Sequence, residues 1–524
     1  LLLPIGARWL TADRSGDPSS QLPSRHVAIA PRRVAHHVLL APRRRGEGVM
    51  SATAPDHDEP LLFTSIPWSA TPGRELAKRA WPIAIGTLSY SAMTLVGVAF
   101  VARVGPAEVA GVGLAGVAAF TLMCFAIGAL RAAKTLIAQA LGAGRREDAD
   151  RYLGVAVLFA LGWGVLTLVI AEAGAPLLAL LAKDPEQGQH AATYLRLRAL
   201  AAPIVLCGIA MRETRWAEGD TRATMRATIA GNLVNGLLDY LLIVVLHHGV
   251  VGAGLATVAG STVEMVLLAV PMWPRLRKVA WRPAYARALW QQGAPTGIQF
   301  LLEVGAFMVV SLVVAQMGRV EGAAHQLVLQ LSHVSFLPAH ALAEAASVLV
   351  GQAVGAGRLD LVMPVARRAL LLGAAYAALC TVLFVVAGGP MAHALGARDG
   401  AVFATTKQLI HIGALFLVAD AANVIARGVL RGVGDAVYPA WVGVVTAWVV
   451  TPPLAGFLGL GLGWGAAGGW LGLTLEIVVG AGILWWRLAR GGWRGPALAS
   501  RRRTLAVSDH ERGGFARSAE APPT

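Results

Sequence analysis

Charge is scarce in this sequence: Asp, Glu, Lys and Arg make up only 14% of its 524 residues, and its mean hydropathy is +0.59. Soluble domains carry roughly 25% charged residues. Val155–Ile170 has no charge at all, and Val437–Trp485 has only Glu476. Runs of that kind match or exceed the ~20 apolar residues that take a helix across a hydrocarbon core, so the chain's main solvent is lipid. Cysteine is almost missing too. Cys124, Cys207 and Cys380 lie singly inside apolar stretches, without a CxxC pair or a His at ligand spacing, which excludes a disulfide scaffold and a thiolate metal centre. There is no HExxH, no Ser with a positioned base, and no loop long enough for a catalytic domain outside the membrane. An enzyme is therefore not expected, and neither is a cofactor. A channel is disfavoured because no ring of repeated polar residues is present.

The charge that exists is strongly basic, with a net value of +15. It sits in short loops between apolar runs rather than on one face of a domain, which argues for topology and against nucleic acid. The runs predict an all-α polytopic membrane protein of about twelve spans: 81–102, 108–141, 153–181, 191–211, 224–247, 251–273, 293–317, 323–354, 365–388, 403–427, 437–459 and 466–487. Alternate loops hold most of the bases, including Arg145, Arg146, Arg212, Arg215, Lys278, Arg358, Arg427 and Arg431; the others offer little beyond Arg103, Lys183, Arg319 and Arg398. The basic side should be cytoplasmic, with both termini on it. Arginine far exceeds lysine, and Ala, Gly and Val abound, a composition associated with GC-rich bacteria and hence with an inner membrane.

Residues 1–75 read as a disordered tail, with Met50 a better start than Leu1, and residues 491–524 as a second one. Between them lie two six-span lobes, 76–273 and 293–490, joined by a cytoplasmic linker over 274–292. The lobes repeat each other. Gln139-Ala-Leu-Gly-Ala-Gly-Arg145 recurs 213 positions on as Gln352-Ala-Val-Gly-Ala-Gly-Arg358; Gly105 and Glu108 match Gly318 and Glu321; Arg212, Gly219 and Asp220 match Arg427, Gly434 and Asp435. Six spans is an even number, so both repeats enter the membrane in the same sense and are related by an axis along its normal, enclosing a central cleft.

These motifs, together with Gly252-Ala-Gly-Leu-Ala-Thr257, Gly293-Ala-Pro-Thr296 and Ala323-Ala-His-Gln326, resemble the multidrug and toxic compound extrusion (MATE) transporters from about Leu76 to Trp486. The resemblance implies export of small, cationic, amphipathic compounds by antiport with H⁺ or Na⁺. It also implies a coupling site. Glu303 in Gln299-Phe-Leu-Leu-Glu303 and Asp420 in Val418-Ala-Asp-Ala-Ala-Asn423 look like the seventh-span Glu and tenth-span Asp of the NorM-like branch, with Na⁺ possible at both. Asn235 and Asp239 match the fifth-span pair of the DinF-like branch, but Gly97 stands where most bacterial members have a first-span Asp, which shifts the expectation to the C-lobe.

The residues by themselves point the same way. An ionisable group inside a span costs ~2.5–3.5 kcal/mol on insertion scales and persists mainly where it works or is paired. The sequence places the acids Asp239, Glu264, Glu303, Glu344, Asp420 and Glu476 inside spans, against the bases Arg131 and Lys134: an acidic interior suited to cations. Asp420 with Asn423, and Asn235 with Asp239, share helix faces; each is a candidate ion ligand or a helix-to-helix hydrogen bond. Arg131 and Glu344 occupy equivalent repeat positions and are a candidate gate pair across the cleft, and Phe307 is a candidate cargo contact. The expected partners are cargo and lipid, with the chain a monomer. A flippase for lipid-linked precursors is the alternative transporter reading, but it would prefer a basic cleft.

Overall fold

The computed structural model describes residues 66–181, 184–398 and 400–519. The supposed tail up to residue 65, Met50 and Lys183 lie outside them. Eleven helices among the described residues are long and apolar enough to span a membrane, and a bent pair makes twelve. They are α1 (Pro72–Val101), α2 (Pro106–Gly142), α3 (Arg146–Leu181), the pair α4 (Pro185–Leu200) and α5 (Ala202–Glu218), α6 (Thr221–Asp239) and α7 (Gly249–Ala269). After the short α8 (Trp273–Leu276) come α9 (Pro283–Gln316), α10 (Arg319–Gly355), α11 (Val362–Ala394), α12 (Gly400–Gly432), α13 (Val437–Val449) with α14 (Thr451–Leu454), α15 (Gly465–Ala489) and α16 (Arg494–Ala519).

Several helices begin well before the apolar run that announced them: α1 nine residues earlier than expected, α3 seven and α9 ten. Hydropathy registers only the part in lipid, whereas Glu, Arg and Lys are good helix formers and carry the hydrogen-bond ladder out into water. The 43° bend between α4 and α5 falls where Pro203 interrupts the ladder. Both repeats relax into a π-helical stretch at the same place, Tyr240–Val245 after α6 and Ala455–Gly461 after α14.

The two repeats meet at the face that carries the basic loops. There α1 lays Leu76, Ala80 and Ile83 against Leu349, Val350 and Val429 of the second repeat in one buried cluster. On the other side α2 and α9 cross on glycine: a Cβ at Gly293 would lie 2.7 Å from the Ala129 carbonyl oxygen, and one at Gly297 would lie 2.6 Å from that of Phe125. Small residues let the backbones approach this closely, which supplies the dispersion contact that holds helices together in lipid.

Two boundaries need correction. The linker expected over 274–292 is the end of α8 and then a loop only over 277–282; from Pro283 it is the first turns of α9, with Tyr285 fully buried and its hydroxyl donating to Asp148 Oδ1 at 2.7 Å. The tail expected from 491 is helical in α16, and Ser500 is fully buried. The Arg-rich composition hid a short polar face, Ser500 and Thr504, that docks on the protein. Trp68, inside the other supposed tail, is likewise buried.

Candidate coupling site and gate

In the C-lobe, Glu303 on α9 accepts through Oε1 from Gln299 Nε2 one turn earlier (3.0 Å) and from Arg427 Nη1 on α12 (2.6 Å). Gly443 on α13 leaves room for this group, since a Cβ there would lie 2.7 Å from Gln299 Nε2 and 3.3 Å from Arg427 Cζ. Asn423, one turn before Arg427, is buried and donates to the Ile477 carbonyl (3.2 Å) on α15. Glu476, also on α15, accepts from Thr446 (3.2 Å) and Thr451 (3.4 Å). Asp420, two turns before Arg427, is half-buried and has no hydrogen-bond partner among the described residues. The partner of Glu303 is thus Arg427, a residue outside the expected set, on the helix that carries Asp420 and Asn423. The sequence put Arg427 in a basic loop because it closes an apolar run; α12 continues beyond it to Gly432.

In the N-lobe, Asn235 and Asp239 are each 3% exposed and lack hydrogen-bond partners among the described residues. Asp239 faces Gly97, where a Cβ would lie 3.3 Å from its Oδ2. Nearer the basic face, Glu264 accepts from Thr228 (2.7 Å) and lies 3.7 Å from Arg212. Arg212 and Glu264 are the repeat equivalents of Arg427 and Glu476.

Between the lobes, Glu344 pairs with Lys134, which also lies 3.2 Å from Glu213. This corrects the expected Arg131–Glu344 pair. α2 and α10 converge towards their twin glutamine motifs, so Lys134, three residues nearer that end, meets Glu344. Arg131 instead lies over the Phe300 ring, 5.1 Å from its centre, and lines with Arg431, Thr135, Gln292 and Thr296 a cavity of about 10 Å³. Phe307 is 47% exposed on α9. With Glu213, Arg212, Arg427 and Arg431 all inside helices, the interior carries more base than the sequence count allowed, and the acid excess shrinks.

The motifs close the basic face. Gln139 Nε2 donates across the interface to the Gly432 carbonyl (3.1 Å), and its repeat twin Gln352 Nε2 donates back to that of Ala217 (3.0 Å). The other end of each amide is also taken: Gln352 Oε1 accepts from Trp68 Nε1 (2.9 Å), and Gln139 Oε1 from Ser500 (2.8 Å) and Thr504 (3.2 Å). Gly142 and Gly355 are in backbone contact with Gln352 and Gln139 respectively, and neither has space for a side chain.

Comparison with known proteins also finds the two halves. The MatE family model matches residues 82–241 and 295–456, one match in each repeat. The chain belongs to the MATE family of multidrug efflux transporters. Among its relatives, the "Probable multidrug resistance protein NorM" of Pseudomonas putida is 30% identical over 80% of this chain and 95% of its own. That of Deinococcus radiodurans is 30% identical over 78% and 92%. Among solved structures, the eukaryotic MATE transporter AtDTX14 superposes with a TM-score of 0.76 at 17% identity over 83% of this chain and 99% of that one. A superfamily transporter from Pyrococcus furiosus, reported with a binding pocket of reverse polarity that suggests a different function, superposes at 0.74 and 19% identity, covering 83% and 97%. Fold alone does not name a cargo, which has to be argued from side chains. Glu213, Arg427, Trp68 and Ser500 make interior contacts that sequence reading missed, and Lys134 stood out there only as a base inside a span, without its partners.

Proposed function

We propose that the chain exports small amphipathic organic cations in antiport with H⁺ or Na⁺, as a monomer in a bacterial inner membrane with its basic face cytoplasmic. The observation that carries this is one carboxylate without a partner in each repeat, Asp239 and Asp420, among interior acids that are otherwise paired or hydrogen-bonded. Such a group is stabilised by taking up a cation or a proton. If it does so better in one lobe conformation than in the other, the gradient biases the alternation. The multidrug name of the NorM relatives supports the cargo class, and the concentration of Arg and Lys on one face supports the orientation.

The second reading is a flippase for lipid-linked precursors, which would need a basic cleft; Arg131 and Arg431 line one cavity, but at about 10 Å³ it has no room for a phosphate. Efflux assays separate the two. In everted vesicles given proton and sodium gradients separately, an ethidium-like dye should move and an organic anion of similar size should not; the reverse preference would hand the chain to the flippase reading.

A further inference from the structure

We propose that Arg427 sets ion specificity in the C-lobe: it is a resident cation, paired to Glu303, that closes this site to Na⁺ and leaves it a proton site. The inference rests on the antiport reading above. A dehydrated metal cation must replace its lost water with a shell of oxygens. In the C-lobe the carboxylate best placed to be a ligand is already matched to a cation: Glu303 Oε1 accepts from both Arg427 and Gln299, and both oxygens of Glu476 accept threonine hydroxyls. The oxygens left over, on Asp420 and Asn423, lie on the same helix as that cation.

The guanidinium itself sits where α9, α12 and α13 converge, in space made by Gly443. Its Nε is buried and has no hydrogen-bond partner. The charged groups that act on Asp420 are Arg427 on its own helix and Glu476 on α15. Arg427 interacts electrostatically with Glu303, Glu476 and Asp420 together. A sodium ion entering this lobe therefore meets a fixed positive charge already on its strongest ligand. A proton needs none of that shell: it forms one O–H bond on a carboxylate oxygen of Asp420, arriving from water on one side and leaving to water on the other. Gln299 Oε1, buried and without a partner, is an acceptor beside the pair that stays compatible with either occupant.

The test removes the N-lobe carboxylate first, so that only C-lobe binding is read. In the purified Asp239→Asn protein, unfolding midpoints should not respond to NaCl relative to choline chloride. In Asp239→Asn with Arg427→Gln, sodium should raise the midpoint saturably, by about 1–3 °C. Sodium stabilisation of equal size in both proteins, or in neither, overturns the proposal. Should the double variant fail to insert, radioactive sodium binding to Asp239→Asn decides by itself. No saturable binding supports the proposal, and saturable binding lost on adding Asp420→Asn overturns it. None of these readouts depends on dye transport, so the two failures are told apart: no efflux under any gradient sinks the antiport reading, whereas sodium stabilisation of the Asp239→Asn protein sinks the role given to Arg427.

Discussion

Lys134 faces Glu344 across the lobe interface and Glu213 within its own lobe, and all three side chains are almost fully buried. Removing one partner of a buried pair leaves an uncompensated charge, at a cost of about 3–5 kcal/mol. Lys134→Glu and Glu344→Lys should each abolish dye efflux, whereas the double reversal keeps one base against two acids and should recover a substantial part of it; no recovery would show that the two do not act as a pair. The C-lobe acids should separate in the same way. Asp420→Asn removes a carboxylate that accepts no hydrogen bond among the described residues, so the protein should insert with little change in its unfolding midpoint and lose gradient-driven export. Glu303→Gln strands Arg427 and should lower the midpoint as well as export. Equal midpoints for the two variants would mean that the Glu303–Arg427 pair contributes nothing to the fold.

At the scale of elements, α16 and α9 are the helices whose roles exceed their hydropathy. α16 bridges the lobes at the basic face: Ser500 joins Gln139 to Gln292 (2.8 and 3.0 Å), and Arg501 Nε reaches the Gly355 carbonyl (3.4 Å). Truncation after Gly492 should therefore loosen the closed face without removing a span. A cysteine at Ala353, buried in this structure, should then react several-fold faster with an impermeant maleimide in everted vesicles. An unchanged rate would make α16 a passenger. For α9, Gly297→Leu puts a side chain where the Phe125 backbone passes. Overpacking of this kind costs about 1–3 kcal/mol in a yielding core and more against backbone, so the variant should fail to accumulate in the membrane, whereas Gly482→Leu, in open space on α15, should be tolerated.

For the molecule as a whole, the repeat dictates one orientation for both lobes. A reporter at the C-terminus should read cytoplasmic and one inserted near Asp184 external; the opposite pattern would overturn the orientation drawn from charge bias. Alternation then amounts to exchanging one closed end for the other. Among the described residues, the cross-lobe hydrogen bonds and ion pairs, from Trp68–Gln352 to Lys134–Glu344, gather at the basic face. Opening that face requires breaking them together.

The span count, the repeat and the family were legible in the chain itself, because each is a one-dimensional property. Apolar length measures the bilayer, an offset of 213 between Gln139 and Gln352 measures a repeat, and the twin motifs repeat as contiguous strings. Glu303, Asp420 and Asp239 stood out for the same reason, as charges interrupting apolar runs. What a buried charge is paired with is not a one-dimensional property. Arg427 and Glu303 are 124 residues apart, and Lys134 and Glu344 are 210 apart. Only the folded bundle, which sets α9 within side-chain reach of α12 and packs α2 on α10, brings those side chains together. Hydropathy also assigned Arg427 to a loop and Ser500 to a tail, because it reports contact with lipid. A polar residue docked on protein, and so withdrawn from both lipid and water, carries no such signature; tertiary packing alone decided where those two would sit.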